Sequence, residues 1–187
     1  MIHSVRFICV LDTNVIYPID IRDLLFWFAH YDLYTPKWSE HIFEEWEDVM
    51  KRKGVSNEEA KKRITRANLA FPDALVKNYS GLISSLYLPD LKDCHVLASA
   101  RKTNANVIVT NNVKHFPNEY LESFGLIAKT ADDFLTDIID LNPDQALAAF
   151  KEMVFNRRKP NLNEFEMLAI LRKRDLKNTA DFLHSQL

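Results

Sequence analysis

Several positions in this chain put acids where chemistry could be done. Asp12 directly follows the apolar run 7–11, and Asp90 and Asp93 open a helical pattern leading to the apolar run 107–109, which Asn111 and Asn112 follow. In open α/β sheets, ligands collect beyond the carboxyl ends of the strands, so these carboxylate and amide oxygens share a destination. Oxygens of this kind suit a hard cation such as Mg2+ or Mn2+. A divalent ion keeps neighbouring carboxylates ionised and lowers the pKa of bound water. A pair of ions could stabilise both the entering and the leaving oxygens of a phosphodiester. Such hydrolysis needs no Ser, Cys or His nucleophile, so His41, His95 and His115 are not required and each reads more naturally as structural or solvent-facing.

Each acid also has a plainer reading. An Asp at a strand end usually serves a turn, and Asp12 taken alone would be read so. Asp93 says more, because it shares a helical face with Leu97 and Ala100, and a carboxylate on a core-facing stripe is costly unless a cation or several donors meet it. Its plainer role is to satisfy free amides in the first helical turn. Asp90 reads as an N-cap ahead of an outer metal ligand. On the helix expected over 39–53, Ile42, Phe43, Trp46, Val49 and Met50 form the apolar stripe. Glu45 lies near one edge of it, Glu47 near the opposite edge, and Glu44 points away, so the pattern leaves Glu45 and Glu47 both open. Lys114 and His115, in the loop after Asn112, are placed to touch a phosphate, although a solvated loop is the commoner role.

The elements that must position these residues alternate in type. Strands are expected over 7–11, 33–35 (ending before Pro36), 74–76, 107–109 and 126–128. Helices are expected over 21–31, 39–53, 57–70, 93–102 and 131–139, with a helical turn around 82–86 and a loop over 111–118. This alternation indicates a three-layer α/β/α sandwich around a mostly parallel sheet. Asn142-Pro143 reads as an N-cap with Pro at the first helical position, opening a helix to about 155. Asn163 with Glu166 repeats the capping pattern before 168–172, and 176–187 forms the last helix. The chain thus reads as a domain over 1–141 carrying a helical C-terminal extension over 142–187.

Composition bounds the function classes. The 187 residues are 47% hydrophobic, enough to fill a core, and contain no apolar run of membrane-spanning length. The start of the chain passes from Met1 into a strand-like stretch without a signal-peptide pattern, so a cytoplasmic location is expected. Cys9 and Cys94 sit in apolar segments without metal-ligand spacing and read as buried thiols. A net charge of −2 argues against a wholly basic nucleic-acid binder. Charge is nevertheless uneven: Lys51 to Lys53 with Lys61 to Arg66, and Arg157 to Lys159 with Arg172 to Arg174, are local basic runs that could meet phosphate.

At this point the residues resemble the PIN-domain family, in particular its VapC-like toxin branch. Val10-Leu11-Asp12-Thr13-Asn14-Val15 is similar to the family's opening acid motif, and Leu88-Pro89-Asp90-Leu91-Lys92-Asp93-Cys94-His95-Val96 to its third. Val109-Thr110-Asn111-Asn112-Val113-Lys114-His115 resembles the loop carrying the fourth polar position. Ser39-Glu40-His41-Ile42-Phe43-Glu44-Glu45-Trp46 resembles the helix bearing the second acid, and that likeness selects Glu45. The match runs in order through about 7–139, and the tail resembles the helical extension of one group of these toxins.

The resemblance implies a Mg2+- or Mn2+-dependent endoribonuclease, inhibited by a cognate antitoxin that blocks its acidic groove. Asp12, Glu45 and Asp93 would hold the metal, with Asn112 as the fourth catalytic position and Asp90, Thr110 and Asn14 as secondary candidates. RNA would meet Lys114 and His115. One departure stands out: the fourth position, often Asp in the family, is Asn112 here, and its amide brings no charge for a second metal.

A Rossmann dinucleotide-binding domain is disfavoured by three glycines and the lack of a Gly-rich loop. An Asp-x-Asp phosphatase would have Asn14 in place of its second acid. The stronger rivals are a catalytically silent PIN-fold module that binds RNA or protein, which Asn112 keeps open, and a solitary RNA-processing nuclease. Phe26-Trp27-Phe28 belongs to the core in preference to a homodimer surface.

Overall fold

The computed structural model describes residues 7–187. The start of the expected first domain, 1–6, and the reading of the Met1 segment lie outside the described residues. Five strands, β1 (Ile8–Leu11), β2 (Thr35–Ser39), β3 (Leu75–Val76), β4 (Val107–Val109) and β5 (Ile127–Lys129), form one sheet in the order β3-β2-β1-β4-β5. Every pairing is parallel. Strands buried on both faces read as continuous apolar runs, and β1 and β4 are of this kind, with Cys9, Val10, Leu11, Ile108 and Val109 fully buried.

The helices flank this sheet. They are α1 (Thr13–Ile16), α2 (Ile19–His30), α3 (Glu40–Arg52), α4 (Asn57–Ala70), α5 (Ser80–Ile83), α6 (Cys94–Lys102), α7 (Asn118–Glu122) and α8 (Ala131–Leu141). The C-terminal region adds α9 (Pro143–Asn156), α10 (Glu164–Lys173) and α11 (Lys177–His184). Local capping chemistry sets many boundaries. Ser39 Oγ accepts from the Ile42 amide and Ser56 Oγ from the Glu59 amide, while Asn163 and Glu166 close a reciprocal capping box. After α3 the chain turns at Gly54 with φ of +84°, a conformation in which glycine carries no Cβ penalty. Among the described residues no helix is long and apolar enough to cross a membrane.

Three expectations need correction. The second strand runs over Thr35–Ser39 and contains the buried Pro36, instead of ending before it. The Thr35 amide donates to Phe7 on one side and the Trp38 amide to Ala74 on the other, so the Pro36 position faces the β3 side. Since β3 begins only opposite Trp38, the missing N–H of Pro36 interrupts no ladder bond. Secondly, Asn142 makes no side-chain cap on α9. It also ends α8, its amide bonding to Ile138, and that fixes its backbone away from the usual cap geometry. Thirdly, the loop expected over 111–118 contains a 3-10 turn at Val113–His115 and leads directly into α7, a helix the sequence pattern did not indicate.

The extension is tied to the rest by ion pairs at Asp20 and hydrogen bonds at Asp132, and internally by a pair between α10 and α11. Asp20, buried at the start of α2, accepts from Arg157 Nη1 at 2.9 Å and from Arg174 Nε at 3.0 Å. Asp132 of α8 accepts from the Thr179 amide at 2.8 Å and from its hydroxyl at 2.7 Å, holding the first turn of α11. Arg172 pairs with Asp181 at 2.8 Å. Arg157, Arg172 and Arg174 of the C-terminal basic run are therefore paired with acids of this chain. Phe28 is in the core as expected, and Phe26 packs beside Trp38 and Phe71.

Candidate metal centre

The strand order places the topological switch at β1 and β4, the position where open α/β sheets form a crevice. Leu11 pairs with Val109, and the Asp12 amide donates to the Val109 carbonyl at 3.1 Å, so the ends of β1 and β4 leave the sheet side by side. Asp12 then caps α1: its Oδ1 accepts from the Thr13 amide at 2.7 Å. Its Oδ2 accepts from Asn14 Nδ2 at 2.6 Å and from Thr110 Oγ1 at 2.7 Å. Thr110 Oγ1 accepts in turn from Asn14 Nδ2 at 2.9 Å and from the Asn112 amide at 3.1 Å. This network fixes the loop after β4 against the loop after β1.

The helices bring the other acids. On α3 the apolar stripe turns Ile42, Phe43, Trp46 and Met50 inward, leaving Glu45 half-buried at its edge. Oε2 of Glu45 accepts from Thr13 Oγ1 at 2.5 Å, and Oε1 lies 3.2 Å from His95 Nε2. Glu47 instead pairs with Lys51 at 2.7 Å, and Glu44 is exposed. Asp93 stands just before α6, with Oδ2 2.7 Å from His115 Nδ1. Asp90 caps the turn ahead of it by accepting from the Lys92 amide at 3.0 Å.

Asp12, Asn14, Glu45, Asp93 and Asn112 line one cleft of about 440 Å3. Of the secondary positions, Thr110 is fully buried, its hydroxyl spent on Asp12. Lys114 is exposed, and His115 is turned onto Asp93. Among the described residues, the trio of acid and histidine atoms lying within 4.8 Å of one another is Asp90, Asp93 and His115. Asp12, Glu45 and Asp93 share the cleft at wider spacing, so a cation between them would complete its coordination with water or substrate.

The electrostatics fit a cation. Burial lifts the Asp12 carboxyl from near 3.8 to about 6, hydrogen bonds from Thr110 and the Thr13 amide oppose the rise, and the charges of Asp93 and Glu45 add to it. Glu45 is pushed up by burial, but hydrogen bonds from His95 and Thr13 outweigh this and its pKa is lowered. The cleft wall also carries Asp48, and Arg52 is its one basic residue among the described residues. One buried carboxylate, Asp12, and two partly buried ones, Glu45 and Asp93, lining the same cleft with little cationic counter-charge are suited to a hard divalent ion.

Sequence reasoning passed over Asp48 and read Arg52 only as part of a basic run, although they stand at i+3 and i+7 from Glu45 and share its helical face. The pairing of His95 with Glu45 and of His115 with Asp93 leaves no comparable local signal, since the partners are far apart in sequence.

Comparison with known proteins bears on this geometry. A family model of the PIN domain matches residues 9–114, and one of the VapC50 C-terminal domain matches residues 131–185. A Mycobacterium tuberculosis protein, VapC50, whose name proposes a ribonuclease, is 39% identical over 90 residues, which cover 48% of this chain and 53% of that protein. The chain thus spans about half the length of that relative. No solved structure matches.

Proposed function

Because the chain belongs to the PIN-domain family, we propose that it is a divalent-metal-dependent endoribonuclease, the toxin of a toxin–antitoxin pair. The observation that carries this reading is the convergence of Asp12, Glu45, Asp93 and Asn112 on one cleft at the switch point of the sheet. RNA as substrate is supported by the name of the M. tuberculosis relative. Mg2+ or Mn2+, when bound, supplies the positive charge that activates water and offsets the charge building on the phosphodiester.

The chain's own residues supply the rest. Asp12 is the central ligand, its carboxylate fixed by Thr110, Asn14 and the Thr13 amide. Glu45 and Asp93 are the flanking ligands, and Asn112 offers an uncharged fourth oxygen. Arg52 meets the phosphate strand at the cleft wall. Lys114, exposed beyond it, extends that contact. We assign the nuclease body to 1–141 and the extension to 142–187, a division supported by the start of α9 at Pro143. A cognate antitoxin would bring a basic group over the acidic cleft, and both proteins would act in the cytoplasm, where RNA is met.

The test is cleavage of RNA by the purified chain with Mg2+ or Mn2+, with and without chelator. Asp12→Asn and Asp93→Asn should abolish cleavage while the fold persists, and undiminished cleavage by both would overturn the mechanism. A second reading, a silent RNA-binding module, draws on the neutral Asn112. It predicts RNA binding without cleavage at any metal concentration.

A further inference from the structure

We infer that His95 is a positioning residue that holds Glu45 ready for the cation, an inference that rests on the metal reading above. His95, on α6, is 7% exposed, and its Nε2 lies 3.2 Å from Oε1 of Glu45 on α3. Its Nδ1 is buried and has no hydrogen-bond partner among the described residues. A neutral imidazole carries one N–H, and the stable place for it is the nitrogen that faces an acceptor, so Nε2–H points at the carboxylate.

The opposite oxygen of Glu45 accepts from Thr13 Oγ1 at 2.5 Å. Glu45 is therefore gripped at both oxygens by donors from separate elements, which removes rotamer freedom from a long side chain before any cation arrives. Each carboxylate oxygen has a second lone pair, so one donor apiece leaves room for coordination. The imidazole is itself supported: the His41 ring lies 5.0 Å away, and His41 Nδ1 is 3.1 Å from the Tyr79 hydroxyl. With Nε2 engaged and Nδ1 enclosed, neither nitrogen of His95 is free to be a ligand. Metal ligands are commonly oriented in this way by a neighbour that never touches the ion, and losing such a neighbour typically weakens metal binding about 10- to 100-fold.

Mn2+ binding to the full chain, followed by electron paramagnetic resonance, tests the assignment apart from catalysis. His95→Leu should weaken Mn2+ binding by roughly 10-fold or more while the metal-free chain still melts cooperatively. His95→Gln, whose amide N–H can reach Glu45, should restore most of the affinity, as packing alone would not. Wild-type affinity in His95→Leu, or a His95→Gln variant as weak as His95→Leu, overturns the inference. If His95→Leu does not fold, His95→Gln is compared with His95→Asn, whose shorter amide cannot reach Glu45, and equal affinities overturn it. A wild-type chain that binds no Mn2+ overturns the metal reading itself, and this inference with it.

Discussion

The hydroxyl of Thr110, one residue past the end of β4, donates to Oδ2 of Asp12, one residue past the end of β1, across 2.7 Å. The acid at the middle of the cleft is thereby held by the neighbouring strand's continuation, and the hydroxyl also accepts from Asn14 and the Asn112 amide. Replacing Thr110 with Val keeps the shape and removes this node. We expect Thr110→Val to cost about 1–3 kcal/mol in urea unfolding, because buried partners are left unsatisfied. A stability equal to wild type would show the network to be dispensable.

Asp12 should make the metal-free chain less stable as pH rises. Its folded pKa of about 6 lies above the ordinary 3.8, so between these values the folded state binds more protons than the unfolded chain. Stability is then highest below about pH 4 as far as this group is concerned, falls through pH 6, and has lost about 3 kcal/mol by neutrality. Asp12→Asn should flatten that part of the profile. Thermal melts in chelator at pH 5 and pH 7.5 measure it, and the same slope in both proteins would contradict the assignment.

Asn112 offers an oxygen without charge to the cleft. Asn112→Asp should tighten binding of a second divalent ion, read as a higher Mn2+ stoichiometry at fixed free metal. In chelator the same variant should be less stable than wild type, since it adds a like charge near Asp12, Glu45 and Asp93. Unchanged stoichiometry would mean that the fourth position is not a ligand.

Asp20 anchors two arginines of unequal burial: the Arg157 side chain is 16% exposed and that of Arg174 53%. Removing the shared acid takes its hydrogen-bonded carboxylate from the more buried cation and leaves only the longer-range charge of Asp23, so Asp20→Ala should cost about 3 kcal/mol. Arg174→Ala, at a solvent-screened pair, should cost less than about 1 kcal/mol. Denaturant unfolding checks the order, and protease sensitivity of α9 to α11 should rise in Asp20→Ala alone.

The sequence by itself determined the local pieces of this protein. The apolar runs of β1 and β4, the serine and asparagine caps of α3, α4 and α10, and acids at strand ends are all set by neighbours a few residues away. Periodicity and capping act over that range, so Asp12 and Asp93 were legible as candidates without the fold, and the helical wheel narrowed the middle acid to Glu45 or Glu47. Tertiary structure decided what depends on contacts between distant segments. Glu47 went to Lys51 while Glu45 reached the cleft, His95 and His115 closed on the acids, and Pro36 entered a strand because β3 starts late. Arg157 and Arg174 turned from an apparent phosphate row into the partners of one buried carboxylate, 137 and 154 residues away in the chain. A buried charge takes the counter-charge that packing brings to it, and sequence spacing carries no record of that choice.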